Sequence, residues 1–164
     1  IRALEPFVRS ATAVSGEDPL PVGWAAPEKP LTAREKFIAM GRIRPKKDSE
    51  EAQRWPEWSA IMRNIWLWRE TNLLLANAKS LYPDRVLLLG FEELERDSDA
   101  FVSRIAEHFQ CPGERLRNAA PAALTHRNRK PAGYEVGPIV EWTEQERLFA
   151  QAAQSKVGGS RWRA

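Results

Sequence analysis

Apolar positions recur along the chain with two periods, and the change from one to the other marks out the expected elements. Ile1-Arg2 reads as the end of a buried strand. Glu5 and Pro6 then open a helix: proline is tolerated in the first turn and an acidic side chain suits its positive end. Phe7, Val8, Ala11 and Val14 supply its apolar face. Residues 16–30 hold two glycines and four prolines and read as a loop. Thr32 and Glu35 form a capping box for a second helix through Phe37, Ile38 and Met40, which ends near residues 41–45. Residues 46–51 are charged and read as exposed.

The longest helical pattern covers residues 58–81, with Pro56 at or just before its first turn. Ile61, Ile65, Trp68 and Leu75 recur at helical spacing, and Trp58, Trp66, Leu73 and Leu74 widen the face, which predicts burial between layers. Tyr82-Pro83-Asp84 ends it, because a residue before proline avoids helical geometry. Residues 85–91 are a nearly unbroken apolar run, the pattern of a strand covered on both faces. Residues 92–95 turn into a short helix or loop. Residues 97–99 offer caps for a helix with a stripe of Phe101, Val102, Ile105 and Phe109, and Cys111-Pro112-Gly113 stops it. A short helix over 114–119 and an irregular basic stretch over 124–138 follow. Thr143 and Glu146 form another capping box, opening a helix to about Ala153. This alternation predicts an α/β fold, a mostly parallel sheet flanked by helices.

Length and composition narrow the picture. A chain of 164 residues suits one core rather than two, so residues 1–154 are expected to form a single partial domain, with 155–164 a fraying tail. No apolar run approaches the ~20 residues that span a membrane. Cys111 is the only cysteine, which excludes an internal disulfide and a cysteine zinc site. That fits a reducing compartment, and a cytoplasmic location is expected. A formal charge of +3 permits a local anion site but does not mark a nucleic-acid binder. The chain opens on Ile1 rather than Met and reads as part of a longer protein.

Tyr82 to Asp97, Tyr-Pro-Asp-Arg-Val-Leu-Leu-Leu-Gly-Phe-Glu-Glu-Leu-Glu-Arg-Asp, resembles a recurring element of the PAPS-dependent sulfotransferases. In that family a strand closes in an aromatic-Glu-acid-Leu sequence, here Phe91, Glu92, Glu93 and Leu94, and a helix like 101–109 follows. The front of the chain is similar to the family as well. There an Arg at a strand end and a Ser eight residues later hold the donor's 3′-phosphate, and Arg2 and Ser10 keep that spacing. One departure is that the family often has Pro two residues after the Arg, whereas Pro6 lies four after. Arg127, Arg129, Lys130 and Gly133 match the character of a basic loop that the family places over the donor's phosphates.

The resemblance implies a P-loop-NTPase-like sulfotransferase fold, with PAPS as donor, no metal, and a hydroxyl or amine acceptor on a small molecule or carbohydrate. The family's Lys-Ser-Gly-Thr-type loop and its usual general base both fall upstream of Arg2. No catalytic residue is therefore assigned within the chain, and the chain alone is expected not to be competent. A guanidinium fork and a hydroxyl are suitable phosphate ligands on chemical grounds. Other readings stay open: a different phosphate-handling enzyme such as a nucleotide kinase, or a non-catalytic anion-binding module. Of Glu92 and Glu93, one is read as a carboxylate that accepts backbone or Arg hydrogen bonds and fixes the turn. His126 is a weaker base candidate, His108 is structural, and Trp55, Trp58, Trp66 and Trp68 form core or the wall of a cleft.

Overall fold

The computed structural model describes residues 1–15, 43–114 and 136–159. These residues form helices and connecting segments, and no strand is present among them. The helices are α1 (Leu4–Ser15), α2 (Glu50–Arg54), α3 (Ala60–Leu81), α4 (Phe91–Arg96), α5 (Ser98–His108) and α6 (Glu144–Gly158), with short 3-10 turns at Trp55–Glu57 and Ile139–Glu141.

This overturns the α/β expectation. Of residues 85–91, read as a strand buried on both faces, Arg85 lies in a turn, Val86 to Gly90 form no regular element and are only half-buried, and Phe91 opens α4. Their backbone finds one short stretch of pairing, at Ile1: the Ile1 nitrogen donates to Leu89 O, and the Phe91 N–H donates to Ile1 O. A ladder needs successive donors and acceptors on a facing chain, and one residue supplies a single rung.

The chain divides into two compact units, Ile1–Ala3 with Leu74–Lys130, and Leu4–Leu73 with Pro131–Ala164. In the second, α1 contributes Leu4 and Val8, α3 contributes Ile65 and Trp68, and α6 contributes Ala150, Ala153 and Val157 to one buried cluster closed by Trp142. The α6 positions repeat at three and four residues, one face of a helix. The expectation of a helix opened by Thr143 and Glu146 holds, but α6 runs through Gly158 instead of ending near Ala153. Trp58, Met62, Trp66 and Leu67 form a second cluster, packed against Trp55, Phe149 and Ile43. The rings of Trp55 and Trp66 meet edge-on with centroids 5.3 Å apart, and Trp58 lies 4.9 Å from Phe149. Trp58, Trp66 and Trp68 are thus core, and Trp55 is half-buried against them.

One full turn of α3, from Asn64 to Arg69, is buried all round, whereas Leu74, read as part of the same wide face, is exposed. Some of the turn's polar groups find partners, while Asn64 Oδ1 and the Trp66 indole N–H are buried without a hydrogen bond. Asn64 Nδ2 donates to Thr12 Oγ1 and to Ala60 O, both at 3.0 Å. Arg69 pairs with Glu70 at 2.6 Å and with Glu51. Ser59 precedes α3 and caps it, accepting from the Met62 N–H, while its own hydroxyl donates to buried Glu146 at 2.6 Å. Glu146 also accepts from Thr143 N and Oγ1, each at 2.9 Å. One carboxylate therefore serves the starts of both α3 and α6.

In the first unit, Asp97 caps α5 through the Ala100 N–H, as its sequence suggests. Val102 is buried, but Phe109, expected on the apolar stripe, is exposed because the helix has already ended at His108. Cys111 N donates to Ala106 O and Gln110 N to Glu107 O, the pair of bonds of a Schellman turn. Gln110 takes the left-handed position with φ 50°.

Candidate functional site

Arg2 and Phe91 to Leu94 belong to the two stretches that carry the sequence resemblance, and within the first unit they meet. The Arg2 guanidinium carbon lies 5.4 Å from the centre of the Phe91 ring, a cation–π distance. The residues on each side of Arg2 are pinned to the start of α4. Ile1 exchanges its two backbone bonds with Leu89 and Phe91, and the Ala3 N–H donates to Glu92 Oε1 at 2.7 Å. Glu93 turns back on its own helix. Its Oε1 accepts from Gly90 N at 3.0 Å, and its Oε2 pairs with Arg104 of α5. Both carboxylates thus do what the sequence assigned to one of them: they accept backbone or Arg hydrogen bonds and fix the turn.

Gly90 has room for nothing larger without adjustment, since a Cβ there would stand 3.0 Å from Glu93 Oε1. The glycine at the end of the apolar run therefore fits the back-folded Glu93.

Ser10 lies on α1 in the second unit and is half-buried. Glu5, the acid between Arg2 and Ser10 in sequence, is engaged in that same unit: it accepts from the Ile139 N–H at 3.2 Å and lies 4.0 Å from Arg9. In kind, a guanidinium held over a ring fits a phosphate. Arg127, Arg129, Lys130, Gly133 and His126 lie outside the described residues. His108 sits in the last turn of α5, with its ring edge-on to Phe109 at 4.8 Å.

No known family profile, curated protein or solved structure matches the chain. The reading of this site therefore rests on its own chemistry.

Elsewhere the electrostatics are structural. Burial by itself would raise the Glu51 carboxyl, but the Arg69 hydrogen bond, the Arg69 and Lys156 charges and the polarity of the nearby Trp66 indole outweigh it, and its pKa is lowered. The Trp66 N–H itself falls short of hydrogen-bond geometry. Arg63 donates to Trp55 O and Pro56 O, both at 3.2 Å, and lies over the Trp55 ring; burial lowers its pKa. Among the described residues no cluster of His, Cys, Asp and Glu could hold a metal ion, and no helix is long and apolar enough to cross a membrane.

Sequence reasoning missed two features of the site. The Phe91 ring as the platform for Arg2 has a signal in retrospect, an aromatic at the end of the apolar run. The Ala3–Glu92 bond has none, because a backbone N–H leaves no mark on a sequence.

Proposed function

We propose that the chain is the 3′-phosphate-binding part of a sulfotransferase, which moves a sulfuryl group from PAPS to a hydroxyl or amine on a small-molecule or carbohydrate acceptor. One observation carries this reading: Arg2 and the Phe91-Glu92-Glu93-Leu94 sequence lie 89 residues apart and are joined in space through Ile1, Arg2 and Ala3. The proposal concerns this site and requires no sheet within the described residues. Arg2 gives a planar fork for bidentate bonds to the phosphate. The resemblance assigns Arg127, Arg129, Lys130 and Gly133 to a basic loop for the donor's phosphates.

The test is calorimetric titration of adenosine 3′,5′-bisphosphate into the full protein that carries this chain. Arg2→Ala is expected to weaken binding by about 1.5–3 kcal/mol, the usual worth of a hydrogen bond to a charged group. Unchanged affinity would remove Arg2 from the site and refute the reading.

The helical character of the described residues favours a second reading, a non-catalytic anion-binding module. Such a module binds adenosine 3′,5′-bisphosphate no better than inorganic pyrophosphate, and its affinity falls steeply with salt. The same titration, repeated with pyrophosphate, separates the two.

A further inference from the structure

We propose that Glu92 is a positioning residue for the Arg2 phosphate contact, acting through the backbone of Ala3. This rests on the phosphate reading of Arg2 given above. Glu92 is exposed at the second position of α4, where a carboxylate gains enough from solvent and from the helix end without a distant partner. Instead, its Oε1 reaches the Ala3 N–H at 2.7 Å, the short length of a charge-assisted bond. That bond fixes the peptide plane on the C-terminal side of Arg2. The plane on the other side is fixed by Ile1 O, which accepts from Phe91 N, and the Ile1 nitrogen, one residue further back, donates to Leu89 O. The Phe91 ring lies under the guanidinium. Arg2 is thereby held at its backbone from both sides and along its side chain from below. Among the hydrogen bonds of this clamp, only the one to Ala3 comes from a side chain, so it alone can be removed by substitution.

The charge of Glu92 works in the opposite direction. A carboxylate this close to an anion site repels the ligand, so a role through space and a role through Ala3 predict opposite results. Glu92→Ala removes both the charge and the acceptor. Glu92→Gln removes the charge and keeps an amide oxygen that accepts from Ala3 N–H.

The experiment is titration of adenosine 3′,5′-bisphosphate into the full protein and its Glu92→Ala, Glu92→Gln and Arg2→Ala forms, with hydrogen exchange read at the Ala3 amide. The expected result is that Glu92→Ala weakens binding on the order of tenfold, equivalent to one good charged bond. Glu92→Gln is expected to bind as well as the parent protein or better. Ala3 amide exchange should accelerate in the Ala form and not in the Gln form. Equal shifts in affinity for the two Glu92 variants would overturn the positioning role, as would an Ala3 amide indifferent to both. If Arg2→Ala costs affinity while Glu92→Ala does not, the positioning role fails and the phosphate reading stands. If Arg2→Ala costs nothing, the phosphate reading fails and takes this proposal with it.

Discussion

Glu146 is the buried joint between two helix starts, and Glu146→Ala tests how much that joint contributes. Three bonds end on its carboxylate: from Ser59 Oγ at 2.6 Å and from Thr143 N and Oγ1 at 2.9 Å each. The Ser59 bond involves a charged acceptor at a site only 6% exposed, and such bonds contribute about 1.5–3 kcal/mol. The Thr143 pair is the return half of a capping box, and losing a cap costs roughly 0.5–2 kcal/mol. Removing the carboxylate also recovers part of the cost of burying it. The net expectation is a loss of about 2–3 kcal/mol, or roughly 4–12 °C in Tm for a chain of this size. Urea titration followed by tryptophan fluorescence reads the same unit, since Trp58, Trp66 and Trp142 are in its clusters. A Ser59→Ala/Glu146→Ala double-mutant cycle should return a coupling of about 1–2 kcal/mol. A loss below ~0.5 kcal/mol for Glu146→Ala, or a coupling near zero, would refute the idea that one carboxylate ties the two helix starts together.

Two further expectations concern local features. Gln110→Gly should raise stability by about 0.5–1 kcal/mol in thermal unfolding, because the left-handed position with φ 50° costs a residue with a side chain about 1–2 kcal/mol, partly offset by glycine's greater freedom when unfolded; a loss of stability would contradict the Schellman assignment. Glu51 has a folded pKa below its ordinary 4.5, so its contribution is fully present above about pH 4.5 and is lost as pH falls through the lower folded value. Glu51→Gln should therefore flatten the acid limb of the stability profile below pH 4.5 and leave the shape of the profile near neutrality unchanged; an unaltered acid limb in pH-dependent urea titrations would count against it.

The parts of the fold legible in the sequence are those whose signals and partners are neighbours along the chain. Thr143 and Glu146 announce α6 because a capping box is complete within four residues. Asp97 announces α5 for the same reason. The wide apolar face of α3 foretold a buried turn at 64–69. The strand over 85–91 could not be read reliably, because an apolar run carries no record of whether a facing backbone exists to pair with it. The end of α5 escaped because Gln110, ahead of the Cys111-Pro112-Gly113 stop, takes the left-handed position. At the candidate site, Arg2 and Phe91 to Leu94 were visible as types and spacings. Their meeting through Ala3 and Glu92 was not, since it depends on a backbone donor 89 residues away. Ser59 as partner of Glu146 was hidden by the same kind of separation.

The second unit is assembled from two pieces of sequence, Leu4–Leu73 and Pro131–Ala164. During synthesis, α1 and the first half of α3 leave the ribosome well before α6 exists. Ile65, Trp68 and Val8 then wait for Ala150, Ala153 and Val157 to cover them. At about 5–20 residues per second the interval lasts several seconds or more, far longer than the microseconds in which helices form. A nascent chain stalled within that interval presents an uncovered tryptophan-rich helix, which makes its yield in cells sensitive to translation speed and chaperone supply.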